Sequence, residues 1–285
     1  MADARFAQRR LKPVVAHRDV GAQPALTVLW REGDWLAIHK PAGWLVHRTG
    51  LDAGETRFVV QTLRDQLGQH VFPVHRLDKG TSGVLLMGLS PEAARAMAQQ
   101  FAQRQVHKRY LAMVRGWPGT SLSVDHPLRP DDTPPDTPPQ DALTHLRRLA
   151  TWQLDVPVDR YPHTRVALVE AQPETGRRHQ IRRHLKHIAH PIIGDATHGK
   201  GAHNRWWAQH LGLQRLWLHA TELRLQHPAD GRELVLRSDP HDAALNSDWC
   251  ALLAQPWTLH CSRCEPGGTS APSRNNSAAS MGSKW

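Results

Sequence analysis

Residues 74–89 read VHRLDKGTSGVLLMGL. The last six form a continuous apolar run of strand length, the pattern of a strand buried on both faces. The ten before them place one carboxylate, Asp78, among the basic side chains of His75, Arg76 and Lys79, and follow it with Gly80-Thr81-Ser82-Gly83. A carboxylate performs covalent chemistry only when it is ionised, open to substrate and held in one place. Here a buried strand would anchor the turn, cations flank the acid, and two glycines would let a nucleic-acid backbone approach closely. An Asp in such a turn is equally an ordinary turn former. The stretch by itself leaves both readings open.

Working outward, Ser90-Pro91-Glu92 is a helix start: a capping hydroxyl, a proline at the first helical position and an acid at the positive dipole end. Ala94, Met97, Ala98 and Phe101 give that helix one apolar stripe. KRYLAMVRG (108–116) alternates as a strand. Upstream, ALTVLW (25–30), a turn at residues 31–34 and WLAIHK (35–40) read as strand–turn–strand, broken by Pro41-Ala42-Gly43. FVVQTLRDQLG (58–68) has helical spacing and ends at Gly68. Downstream, PDDTPPDTPPQ (130–140) carries five prolines. It can neither pair in a sheet nor continue a helix, and reads as an exposed loop with no assigned function. Strands resume at 143–154 and 164–173, a helix follows at 179–190 with Ile181, Leu185 and Ile188 inward, and 215–228 is a last strand region. Helices and strands mix without regular βαβ alternation, which predicts an α+β fold with a mixed, mainly antiparallel sheet. Residues 1–25 read as a flexible basic arm, 26–240 as the folded body, and 241–285 as a mostly disordered tail.

The chain has 285 residues and a formal net charge of +10 with histidine neutral. That balance favours a polyanionic partner, because each neutralised phosphate releases condensed counterions. No apolar run is long enough to span a bilayer and the N-terminus lacks a signal-peptide core, so a cytoplasmic protein with no membrane partner is expected. The three cysteines, Cys250, Cys261 and Cys264, could form a zinc knuckle with His260, but adjacent His260 and Cys261 strain that geometry. His179, His184, His187 and His190 have no acidic or cysteine partner at ligand spacing, so no metal site is expected.

A second basic cluster, ETGRRHQIRRHLKH (174–187), would aim helix amides and the side chains of Arg177, Arg178 and Arg182 at one point, fit to bind phosphate or stabilise a carboxylate. The alternative is a solvated helix face. Among 11 tryptophans, Trp44, Trp206 and Trp207 lie in polar sequence and are candidates to stack on bases; covering core edges is the competing role.

Together these segments resemble the RluA-type pseudouridine synthases. HRLDKGTSG (75–83) matches that family's H-R-L-D-x-x-T-S-G loop, IHKPAGWLVH (38–47) its K-P-x-G segment, and KRYLAMVRG its tyrosine-bearing strand. PETGRRHQIRRHL (173–185) with HPIIGD (190–195) matches its basic motif, and RLWLHA (215–220) its closing strand. The resemblance implies that residues 26–240 are a catalytic domain with helices flanking a central RNA-binding cleft. It implies isomerisation of a uridine without metal or cofactor, on the branch that acts on uridine 65 of certain tRNAs. Asp78 would be the nucleophile, Tyr110 would lie against the base and assist proton removal at C5, and Arg182 would pair with Asp78. Arg76, His75, Lys40, Arg177, Arg178 and His179 would contact RNA. A monomer without an obligatory protein partner is expected. Ribosomal RNA is the alternative substrate, and a non-catalytic RNA-binding or folding protein the alternative class.

Overall fold

The computed structural model describes residues 24–48, 55–131, 133–134 and 136–254. Its elements in chain order are β1 (Val28–Glu32), β2 (Trp35–Lys40), α1 (Val59–Leu67), β3 (Phe72–Pro73), β4 (Ser82–Gly88), α2 (Pro91–Ala102), β5 (His107–Arg115), β6 (Ser121–Asp125), β7 (Leu143–Leu154), β8 (Thr164–Pro173), α3 (Gln180–His187), α4 (Gly201–Leu211), β9 (Leu218–Gln226), β10 (Glu233–Arg237) and α5 (Ala243–Leu253). The strands form one sheet in the order β1-β2-β4-β9-β5-β8-β7-β6, with β10 added to β9 and β3 to β4. Every pairing between these strands is antiparallel except β4 with β9. This is the mixed, mainly antiparallel α+β sheet that the sequence predicts.

The apolar run at 84–89 supplies most of β4, an interior strand between β2 and β9 in which every residue is buried. Gly83, with φ +119°, permits the approach of β4 to β9, since a Cβ there would lie 2.2 Å from the Ala220 carbonyl oxygen. A Cβ on Gly80 would meet that of Leu216 at 2.8 Å. The loop glycines therefore serve close packing inside the protein, not the approach of an RNA backbone expected of them. Helix α2 starts as predicted, with the Ser90 hydroxyl accepting from the Ala93 amide at 3.2 Å.

Two apolar cores share the sheet. One gathers α1, α2 and strands β1, β2, β4 and β10 around Leu36, Leu63, Met87 and Met97. The other gathers β5–β8, α3, α4 and α5 around Met113, Val169, Leu185, Trp207 and Trp249. Tyr110, on β5, packs against both. The seam between the cores is where the loops at 74–83 and 174–179 meet.

The structure moves two predicted boundaries. Strand β1 begins at Val28 rather than Ala25, because the backbone of Leu26 pairs with the Gln66 side chain of α1 instead, accepting at 3.0 Å and donating at 2.8 Å. The folded body does not end at residue 240: α5 follows it, and its Trp249 is 0% exposed. Residues 1–23 of the predicted arm and the tail from residue 255, with His260, Cys261 and Cys264, lie outside the described residues. Among the described residues no helix is long and apolar enough to cross a membrane.

Candidate active site

Loop 74–83 is fixed from beneath. The Lys40 ammonium, with no exposed surface, donates to the carbonyls of Thr81 at 2.7 Å, Pro41 at 3.0 Å and Lys79 at 3.2 Å. Burial pulls its pKa down to about 7, with Asp78 opposing that shift. The Gly43 amide donates to the Lys79 carbonyl at 2.8 Å and the Thr81 amide to the Asp78 carbonyl at 3.0 Å. His75 accepts from the Leu86 amide at 3.1 Å and stacks on Phe101 with ring centroids 4.6 Å apart. Burial lowers its pKa to about 3, so the imidazole is neutral. Lys40, predicted to contact RNA, is thus corrected: with no exposed surface it is committed to the loop that carries Asp78. His75, predicted to do the same, is partly exposed, and its ring is engaged by stacking and a backbone bond. Lys79 turns away from Asp78 to pair with Glu55. Arg76 is exposed at the edge of the cleft.

The other half arrives from the second core. After β8, the Gln180 amide carbonyl accepts from the Thr175 hydroxyl at 2.6 Å and from the Arg177 backbone at 3.0 Å, while its nitrogen donates to β7 at Leu143 and Thr144, both 3.0 Å. His179 caps α3 in a left-handed conformation, φ 56°. This tight entry sends Arg182 inward, where Nη1 donates to Oδ2 of Asp78 at 2.9 Å, joining residues 104 positions apart.

Nothing in the sequence singles out Asp195, although it closes HPIIGD. Its carboxylate is the fixed end of this pair: Arg182 Nε and Nη2 each donate to it at 2.8 Å, and the amides of Thr197 and His198 donate at 3.0 and 2.9 Å. Side-chain exposure falls from 22% at Asp78 to 9% at Arg182 and 0% at Asp195. Burial works against both buried charges, yet their mutual hydrogen bonds hold Arg182 above the ordinary guanidinium range and Asp195 below the usual carboxylate range. A forked contact of this kind fixes orientation as well as charge.

The cleft is floored by Asp78, Tyr110 and Arg182 and rimmed by Arg76, Lys108, Arg177, Arg178 and His179. Tyr110 keeps its proton, because burial and the charge of Asp78 both oppose its ionisation. A neutral flat ring beside a carboxylate suits stacking and runs against a resting phenolate base. Lys108, which the sequence also does not mark, donates to the Thr175 carbonyl at 3.0 Å; burial lowers its pKa to about 8. Arg177 Nε donates to the Asp141 carbonyl at 3.0 Å and so braces the loop that it also lines. Trp44 and Trp207 are buried in the two cores, and half-buried Trp206 stacks on His210, so none of the three is placed to receive a base. His184 is buried between the Thr144 hydroxyl and the His126 carbonyl.

A family profile described as RNA pseudouridylate synthase matches residues 34–187, which contain the Asp78 loop, Tyr110 and Arg182. The chain belongs to this family. Two curated relatives, both named tRNA pseudouridine synthase C, match over a longer stretch than the profile. The one from Salmonella typhi is 49% identical over 237 residues, covering 81% of this chain and 89% of the relative. The one from Vibrio cholerae is 45% identical over 237 residues, 81% and 95% respectively. Among solved structures, Human RNA Pseudouridylate Synthase Domain Containing 1 superimposes with a TM-score of 0.62 at 25% identity, covering 86% of this chain and 92% of that one. Human RNA Pseudouridylate Synthase Domain Containing 4 gives 0.56 at 26%, covering 78% and 93%. The chain thus keeps its family's fold while its cleft is assembled from two separately packed halves. Among the described residues no group of three His, Cys, Asp or Glu side chains is placed to hold a metal ion.

Proposed function

We propose that this protein isomerises one uridine of tRNA, position 65, to pseudouridine with Asp78 as nucleophile. The observation that carries the reading is a carboxylate open to a basic cleft, bonded at 2.9 Å to a guanidinium that a second, fully buried carboxylate holds still. The relatives named for tRNA support the substrate. A flipped uridine lies with its base on Tyr110 and its backbone on the cationic rim, where Arg76 helps to hold the base out of its stack. Asp78 attacks C6 of the uracil or C1′ of the ribose, the glycosidic bond breaks and the base rotates; C5 then bonds to C1′, displacing Asp78 if it holds C1′, and the C5 proton passes to solvent, with elimination of Asp78 if it holds C6. Reactant and product are isomers, so the chemistry consumes no oxidant, reductant or co-substrate. A non-catalytic RNA-binding protein would need the basic rim but not the costly burial of Arg182 and Asp195 behind a single exposed acid.

The test is pseudouridine mapping of total tRNA and ribosomal RNA from cells lacking the gene. Loss of one tRNA site, restored by the wild-type gene and not by Asp78→Asn, is the expected result. Loss confined to ribosomal RNA overturns the substrate, and an unchanged map overturns the activity.

A further inference from the structure

The proline-rich loop has no part in the chemistry above, yet its first acid lies against the cationic rim. Asp131 Oδ2 is 3.4 Å from Nε of Arg178 and 3.8 Å from Nδ1 of His179, and Oδ1 is 3.6 Å from Nη1 of Arg183. All three basic groups lie at or beside the start of α3. The other ring nitrogen of His179 is 3.8 Å from Oδ2 of Asp78. One imidazole therefore separates this cluster from the nucleophile.

These distances are long for ion pairs between complementary groups, which close to about 2.7–2.9 Å when the fit is good. No fork closes on Asp131, whereas a few residues along the same helix Arg182 closes a fork on Asp195 with two bonds of 2.8 Å. Asp131 thus holds its cations loosely, and two of them keep a second contact: Arg183 Nη1 donates to the Arg129 carbonyl at 2.7 Å, and His179 Nδ1 lies 3.1 Å from Nε2 of His198. The cluster is partly open to solvent, with side-chain exposures of 48% at Arg178 and 31% at Asp131 against 20% at Arg183 and 17% at His179. Exposed pairs of this kind contribute little and exchange readily.

We propose that Arg178, His179 and Arg183 form the seat of one RNA backbone phosphate beside the target nucleotide, and that Asp131 occupies this seat when RNA is absent. The proposal rests on the reading of the cleft as an RNA site. Binding of RNA exchanges one anion for another, so the arginines stay charge-compensated in both states and Asp131 acts as a competitor that weakens unspecific binding of polyanions.

The experiment measures dissociation constants of the full-length chain for tRNA prepared from cells lacking the gene, over a series of KCl concentrations. Asp131→Asn is expected to tighten binding by about fivefold at low salt, the upper range for exposed pairs. Arg178→Gln and Arg183→Gln are each expected to weaken it, and the two together to make the salt dependence shallower by about 0.9 in slope, the share of one phosphate. In the Arg178→Gln/Arg183→Gln background, Asp131→Asn is expected to change little. Asp136→Asn, in an exposed acid of the same loop, controls for loss of negative charge alone. The proposal is overturned if Asp131→Asn has no effect or weakens binding, if Asp136→Asn tightens it equally, or if the Asp131→Asn effect persists without the two arginines. Pseudouridine formation by the wild-type chain on the same tRNA separates the two claims: turnover without these binding effects removes the seat alone, and absence of turnover removes the catalytic reading while the binding series still judges the seat.

Discussion

Two arginine–carboxylate clusters flank the same cleft and differ in burial. Arg182 and Asp195 are 9% and 0% exposed and joined by two bonds of 2.8 Å, whereas Asp131 is 31% exposed and no closer than 3.4 Å to its cations. Identical chemical groups thus give a rigid strut in one place and an exchangeable contact in the other. Low dielectric and completed hydrogen bonds make the first costly to break, and solvent screening makes the second easy to open.

The largest expected effect lies at the exposed end of the strut. Asp78→Asn abolishes isomerisation while RNA affinity, measured by filter binding, stays near wild type; residual turnover after excluding deamidation would remove the nucleophile. Asp195→Asn follows, because it leaves a buried guanidinium undercompensated. Chemical denaturation should show a loss of about 3–5 kcal/mol, and kcat should fall far more than KM changes. Arg182→Lys should mimic the kinetic loss, since one ammonium cannot span both acids; wild-type kcat in either variant would show that the strut does not orient Asp78.

Lys40→Met tests the support beneath the loop. Losing its three carbonyl contacts should lower stability by about 1–3 kcal/mol, the cost of stranding buried acceptors, and an unchanged unfolding midpoint would contradict that role. A further effect, on stability rather than turnover, is with pH. Burial holds His39 and His219 at about 4 and His75 at about 3, against 6.5 when exposed. Below pH 6.5 the unfolded chain therefore binds protons that the folded chain refuses, and stability falls as pH drops from 6.5 toward 3. Denaturation midpoints at a series of pH values should show this decline, shallower in His75→Gln; a midpoint insensitive to acid would show these rings to be ionisable in the fold.

Where the sequence serves well, the signal is local. The buried strand after Asp78, the Ser90 cap and the helical stripe of α2 follow from neighbours a few residues apart, and so does the mixed α+β character. Where it falls short, polarity stands in for exposure. Lys40 and His75 read as RNA contacts because a basic residue near a cleft motif gives no sign that carbonyls or a Phe101 ring wait for it inside. Helix α5 escapes notice because AALNSDWCALL buries polar Asn246 along with Trp249 and Leu252, so its apolar residues do not mark one face by themselves. Asp195 after Gly194 looks like a turn residue, as its bonds from the Thr197 and His198 amides fit, and only the arrival of Arg182 gives it a charged partner.

The sequence by itself determined the elements around the motifs, the position of the acid that faces the cleft and the identity of the arginine that meets it, since these depend on residue type, spacing and motif. Only the tertiary structure decided which charges are buried and which are exposed. Burial is set by packing between the two cores, over separations such as the 104 residues from Asp78 to Arg182, and the strength of every charge pair in the cleft follows from it.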